Sequence, residues 1–257
     1  GVREDMQGYR LRRRGDPAEC AGTLQAAPVV AATTASCGSR AVRTQSFDVA
    51  VVDEAGQLTE PGTLAALTLA DRFVLVGDHN QLPPVVRAEN DLTESLFERL
   101  QKQYPEASTL LNRQYRMAQR IQSFPSREFY DGRLRPATGE VAARSVADLS
   151  GVTPTALPAD LRKRVTFLDP EGHADGNTNP VEADAVADVV DSYLAAGLSP
   201  ADIGVIAPYR AQVATVRRRV PDDVTVDTVD RFQGSSTEVI VVSFVATGSL
   251  DGPIFEE

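Results

Sequence analysis

Two adjacent carboxylates, Asp53 and Glu54, close an apolar run in the stretch FDVAVVDEAGQL from Phe47 to Leu58. A carboxylate at the end of a strand can hold Mg2+, usually through water, and a neighbouring glutamate can orient and deprotonate an attacking water. The alternative for the same pair is a helix N-cap followed by a first-turn acid, which EAGQL permits. A second run, RFVLVGDHNQLPPVV, ends in Gly77-Asp78, presents His79, Asn80 and Gln81, and closes on Pro83-Pro84. A glutamine on a loop stiffened by two prolines, one strand away from Asp53, suits contact with a terminal phosphate or with an attacking water.

These groups need strands to place them. PVVAAT (28–33), FDVAVVD (47–53) and RFVLVGD (72–78) read as short apolar strands, of the kind found in parallel sheets covered on both faces. In such sheets the ligand lies beyond the carboxyl ends of the strands, where Asp53, Glu54 and Asp78 fall. Helices are expected over 92–104 and over 114–130, the second interrupted by Pro125. A second set follows: strand 164–169, helix 180–197 with Pro180 at its start and Gly197 at its end, then strands 201–208, 224–229 and 238–245. The pattern is α/β, in two units joined near 105–116, with 137–158 as a surface excursion of the second.

Composition sets outer bounds. The chain has 257 residues, 42% of them hydrophobic, enough for one large domain or two ordinary ones. Its most apolar window, VIVVSFVA (239–246), is far short of a membrane helix, and the arginine-bearing N-terminus has no apolar core after it, so no membrane partner and an intracellular, cytoplasmic location are expected. Cys20 and Cys37, seventeen positions apart, with His79 and His173 as the only histidines, exclude the usual structural zinc spacings. The net charge of −10 argues against a polyanionic partner, yet phosphate contacts depend on local charge. Arginine supplies all of the 26 basic residues except Lys102 and Lys163. It clusters at Arg10 with Arg12 to Arg14, at Arg113, Arg116 and Arg120, and at Arg217 to Arg219. Each cluster is either a phosphate contact or a solvated helix face.

Taken in order, the motifs resemble those of superfamily 1 helicases, in the 5′-to-3′ group that contains the nonsense-mediated-decay helicase, senataxin and the replication nuclease-helicases. The matching elements are DEAGQ (53–57), GDHNQLPP (77–84), LNRQYRM (111–117), FPSREFYDGRL (124–134), VIAPYRAQ (205–212) and TVDRFQG (228–234). The resemblance implies two RecA-like parallel-sheet lobes of a P-loop NTPase helicase, the first incomplete, over 1–112 and 113–257. It implies ATP and Mg2+ as cofactors and ATP-driven movement along single-stranded DNA or RNA. Asp53 would hold the metal, Glu54 would be the general base, and Gln81 would sense the γ-phosphate. Arg116 would be an arginine finger from the second lobe, with Tyr115 stacking on adenine. Asp78, Gln233 and Gly234 would complete the nucleotide contacts. Thr33, Thr34, Pro208, Tyr209 and Thr228 would touch the nucleic-acid backbone, the alternative for these being ordinary turn chemistry.

Two departures stand beside the resemblance. Neither lysine follows a glycine, so no Walker A loop is written in these residues, and the family's sixth motif is not found after GSLDGPIFEE. The expectation is a stretch of a longer motor, with a nuclease or other domains as candidates in the same chain and an ATPase-inactive nucleic-acid-binding or scaffold module as the alternative. In the last motif QGSS replaces QGxE, putting Ser236 where an acid is usual and Glu238 two positions later.

Overall fold

The computed structural model describes residues 22, 24–86, 93–233 and 236–245. The chain divides into two compact units, Gly1–Thr109 and Leu110–Glu257.

In the first unit, α1 (Thr34–Cys37) starts at Thr33, whose hydroxyl accepts the Ser36 amide. It is followed by β1 (Phe47–Val52), α2 (Glu60–Leu67), β2 (Ala70–Leu75) and α3 (Leu96–Gln103). Ser95 caps α3 by accepting the Glu98 amide at 3.1 Å, and Lys102 pairs with Glu94 and Glu98, each at 2.8 Å. Strands β1 and β2 are parallel, Phe47 facing Ala70 and Val52 facing Leu75. Among the described residues they pair only with each other, so much of their apolar surface stays wet: Val51 is 66% exposed and Phe73 and Val74 are 50% exposed. Among the described residues the covering of both faces expected from their composition is not found. Nor is the strand expected at 28–33, because no ladder partner among the described residues reaches it and Val29 is exposed.

The second unit opens with a small β–α–β crossover: β3 (Arg113–Gln114), α4 (Gln119–Phe129) and β4 (Arg135–Pro136), with the two strands parallel. Helix α4 begins five residues later than its periodicity suggests, because 114–118 is a turn held by the Gln114 side chain. It then runs through Pro125 without a break. After α5 (Gly139–Ala143), the piece expected to be a surface excursion is partly core: Leu157 is buried, and Val146, Leu149 and Val152 pack on the main cluster. The strand expected at 164–169 is absent. Arg164 spends its guanidinium on the carbonyls of Ala143 and Arg144, and Val165 and Phe167 face solvent with no strand beside them.

The rest of the unit is an α/β sandwich built of α6 (Pro180–Ala195), β5 (Ile203–Ile206), α7 (Arg210–Arg217), β6 (Thr225–Asp227), α8 (Val229–Phe232) and β7 (Val239–Val242). The sheet order is β6-β5-β7, all parallel. Asn179 caps α6 by accepting the Glu182 amide at 3.1 Å, and Pro180 occupies its first position. The helix buries Ala183, Val186, Val190 and Tyr193 as one stripe at 3.6-residue spacing against β5 and α7. With Ile203, Val205, Val216 and Val226 this forms the main core, each fully buried aliphatic contributing roughly 1.5–3 kcal/mol. Gly204 belongs to this packing: a Cβ there would lie 2.2 Å from the Phe232 ring, so the glycine makes room for α8 to close on β5. No described helix is long and apolar enough to cross a membrane.

Candidate nucleotide and nucleic-acid site

In the first unit the chemistry sits where β1 and β2 end. The ladder runs past both strands: Val76 donates to Val52 O and Ala55 donates to Val76 O, both at 2.8 Å. The two loops then cross backbone to backbone. A Cβ on Gly56 would come 2.8 Å from Asp78 O, and one on Gly77 would come 2.8 Å from Gly56 N. Two glycines in contact thus bring DEAGQ and GDHNQLPP together, setting Asp53 and Glu54 beside Asp78.

Glu54 has φ +52°, in the left-handed region that non-glycine residues rarely occupy. Such strain persists where the surroundings determine it, and it clusters at functional sites. Here the Glu54 amide donates to Asp53 Oδ1 at 3.0 Å, and Gln57 Nε2 donates to Glu54 Oε2 at 2.8 Å. The alternative of a capping acid is not what is seen, since neither carboxylate caps the short 3-10 turn Ala55–Gln57. Asp78 accepts the Asn80 amide at 3.1 Å and Gln81 Nε2 at 2.8 Å, so Gln81 rests on a carboxylate of its own loop. Asp53 and Glu54 are solvent-exposed, and Pro84 is buried and anchors the loop. Thr33 spends its hydroxyl on capping α1, and Thr34 is half-buried in its first turn.

The oxygen donors suit Mg2+, which binds through one or two carboxylates together with waters and substrate phosphates rather than in a protein cage. Among the described residues no group of three or more His, Cys, Asp or Glu forms such a cage. Asp53 fits the carboxylate part. The backbone cradle that grips the β and γ phosphates of a nucleotide has no counterpart in the sequence, which holds no Gly-Lys-Ser/Thr.

In the second unit the loops leaving β5, β6 and β7 share one carboxyl edge. Pro208 and Tyr209 follow β5, with Tyr209 half-buried as the N-cap residue of α7. Thr228 follows β6; its amide donates to Asp227 Oδ1 at 2.9 Å and its carbonyl accepts the Phe232 amide. Gln233 ends α8, and Gly234 lies outside the described residues. Tyr115 and Arg116 project from the turn after β3; Tyr115 is 71% exposed, and the Arg116 guanidinium has no partner among the described residues.

A buried polar junction that the motifs alone did not assign holds this edge. Gln212, fully buried, accepts the Asn179 amide at 2.9 Å and donates to Asn179 O at 3.1 Å and Ser243 Oγ at 3.0 Å. Glu182 then accepts the amides of Phe244 and Val245 at 2.6 and 2.8 Å. The starts of α6 and α7 are thereby tied to the end of β7. The signal in the sequence was the lone amide in VIAPYRAQ.

The reading of the third arginine cluster is corrected. Arg217 donates to Val226 O at 3.1 and 2.7 Å, and Arg219 pairs with Asp184 and donates to Thr215 O, so the third arginine cluster is largely consumed inside the unit. Glu238 forms an ion pair with Arg144 at 2.7 Å, which gives it a structural partner. Arg10 and Arg12 to Arg14 lie outside the described residues.

Two family models, each described as an AAA domain, match residues 4–89 and 92–252. The chain belongs to this AAA-domain family, in its superfamily 1 helicase branch. A DNA replication ATP-dependent helicase/nuclease of Arabidopsis thaliana is 36% identical over 86% of the chain and 18% of the relative. The corresponding helicase/nuclease of Xenopus laevis is 36% identical over 88% of the chain and 24% of its own length. A DNA polymerase alpha-associated DNA helicase A of Schizosaccharomyces pombe is 34% identical over 97% and 39% respectively. The chain therefore spans less than two fifths of the length of these relatives.

Proposed function

We propose that these residues belong to the motor of an ATP-dependent helicase that moves along a single strand, in the 5′-to-3′ sense. The observation that carries the reading is local: DEAGQ and GDHNQLPP leave the carboxyl ends of neighbouring parallel strands and are locked together by Gly56 and Gly77. That is where an α/β sheet takes its ligand. The names of the relatives, two DNA replication helicase/nucleases and a DNA helicase, support the same reading and favour DNA over RNA.

Within this reading each side chain has a task. Asp53 holds Mg2+, which when bound neutralises phosphate charge. Glu54 takes the proton of the attacking water at Oε1, while Gln57 occupies Oε2. Gln81, on Asp78, responds to the terminal phosphate. Arg116 supplies a positive charge suited to equatorial phosphoryl oxygens, and Tyr115 gives adenine a stacking face. Gln233 and Gly234 add nucleotide contacts. Thr33, Thr34, Pro208, Tyr209 and Thr228 meet the strand's backbone. The division of the chain at 112/113, an intracellular location and nuclease or other domains elsewhere in the same protein go with this proposal.

The test is single-strand-stimulated ATPase on the full-length protein, with matched DNA and RNA oligonucleotides. Stimulation by DNA above RNA is the expected result. Strand binding without hydrolysis would instead indicate an ATPase-inactive scaffold.

A further inference from the structure

We propose that Arg113 and Arg135 form a phosphate-oxyanion site on the outer face of the β3–β4 ribbon. In the parallel register Arg113 stands directly opposite Arg135, and Gln114 opposite Pro136. The exposure pattern is the same on both strands, exposed then half-buried, so the two guanidiniums leave from one solvent-facing side while Gln114 turns inward to the 116–117 amides. Adjacent strands lie about 4.8 Å apart, so the two arginine side chains leave the backbone side by side.

Like charges directly opposite on a ladder are destabilising. Here neither guanidinium has a hydrogen bond or ion pair among the described residues, whereas Arg99, Arg144 and Arg219 each have a carboxylate. Nor is the pair free to swing apart at its base. Arg135 N donates to Asn112 O and Ala137 N to Gln114 O, both at 2.8 Å, while Gln122 and Ser126 of α4 hold Leu134 O at 2.6 and 2.9 Å. The fold thus fixes the backbone register from which two unpaired arginines reach solvent together, an arrangement suited to the oxygens of one phosphate or of two neighbouring ones. A phosphodiester of a single strand and the phosphates of a nucleotide share this chemistry. The inference rests on the proposed function for its ligand, though not for its test.

The test uses Arg113→Gln, Arg135→Gln and the double variant in the 257-residue chain, with Arg43→Gln, an exposed arginine of the first unit, as control. Fluorescein-labelled oligo-dT and a fluorescent ATP analogue are the two probes, each titrated with salt. Each substitution should weaken the responsive probe roughly tenfold. If that probe is oligo-dT, the slope of log affinity against log salt should fall by about 0.7 per arginine. The probe that responds names the source of the phosphate. Thermal stability should be unchanged or higher in the variants, since a repulsion is relieved; a lower melting point would mark the pair as structural and overturn the site. Binding equal to the parent in both arms would also overturn it. Inorganic pyrophosphate, followed through the two arginine Nε–H resonances, separates this inference from the function. Shifts keep the site whether or not the full-length protein passes its ATPase test; no shifts overturn the site and leave the helicase reading to that test.

Discussion

Glu54 carries the most exposed prediction at the scale of single residues. In the full-length protein Glu54→Gln should leave nucleotide binding nearly intact and lower turnover by roughly 10²–10⁴-fold, because only the base is lost. Equilibrium binding of a fluorescent nucleotide alongside steady-state phosphate release measures both, and turnover near the parental rate would remove Glu54 from the role. Tyr193 offers a test of stability. Its phenol donates to Leu161 O at 3.0 Å, and burial pushes its pKa above the ordinary value. The fold therefore favours the neutral phenol. That contribution is whole below about pH 10 and is lost as pH rises through the raised folded value. Tyr193→Phe should cost about 1 kcal/mol at neutral pH and flatten the decline in stability above pH 10, seen by urea unfolding at pH 8 and 11. The placement of Asp53 and Glu54 at the end of one strand, and of Gln81 on the loop after the next, was legible because an apolar run stops at each. The left-handed backbone of Glu54 was not, since it follows from the crossing of two loops distant in sequence.

At the scale of elements, the α8–β5 contact depends on Gly204. Gly204→Ala would drive a methyl into the Phe232 ring from 2.2 Å, so the strand or the helix must shift. Overpacking of this kind typically costs about 1–3 kcal/mol. Phe232→Leu in the same chain should recover part of the loss, giving a non-additive double-mutant cycle by thermal melting. Independent effects would mean the two side chains do not meet. The helix 180–195 was legible from Asn179, Pro180 and its apolar stripe, and β5 and β7 from continuous apolar runs. The strands expected at 28–33 and 164–169 failed for one reason: apolar, β-branched residues make a strand only where another strand offers its hydrogen bonds. The late start of α4 failed for another, because Gln114 uses its side chain to hold a turn that periodicity reads as helix.

For the whole molecule, the 257-residue chain should not hydrolyse ATP. It holds the proposed metal ligand, base, phosphate sensor and arginine, but no Gly-Lys-Ser/Thr segment to cradle the β and γ phosphates. Phosphate release with Mg2+ and a saturating single strand, against Asp53→Ala as blank, decides it; turnover above that blank would mean a cradle built from other residues. The uneven distribution of core has a calorimetric consequence. The main apolar cluster lies within the second unit, whereas Val51, Phe73 and Val74 of the first are already half or more in contact with water. Surface that is hydrated before melting adds nothing to the heat-capacity step when the chain unfolds. The increment measured by scanning calorimetry should therefore fall short of the usual ~12–15 cal/mol/K per residue, with the deficit assigned to the stretch that carries DEAGQ.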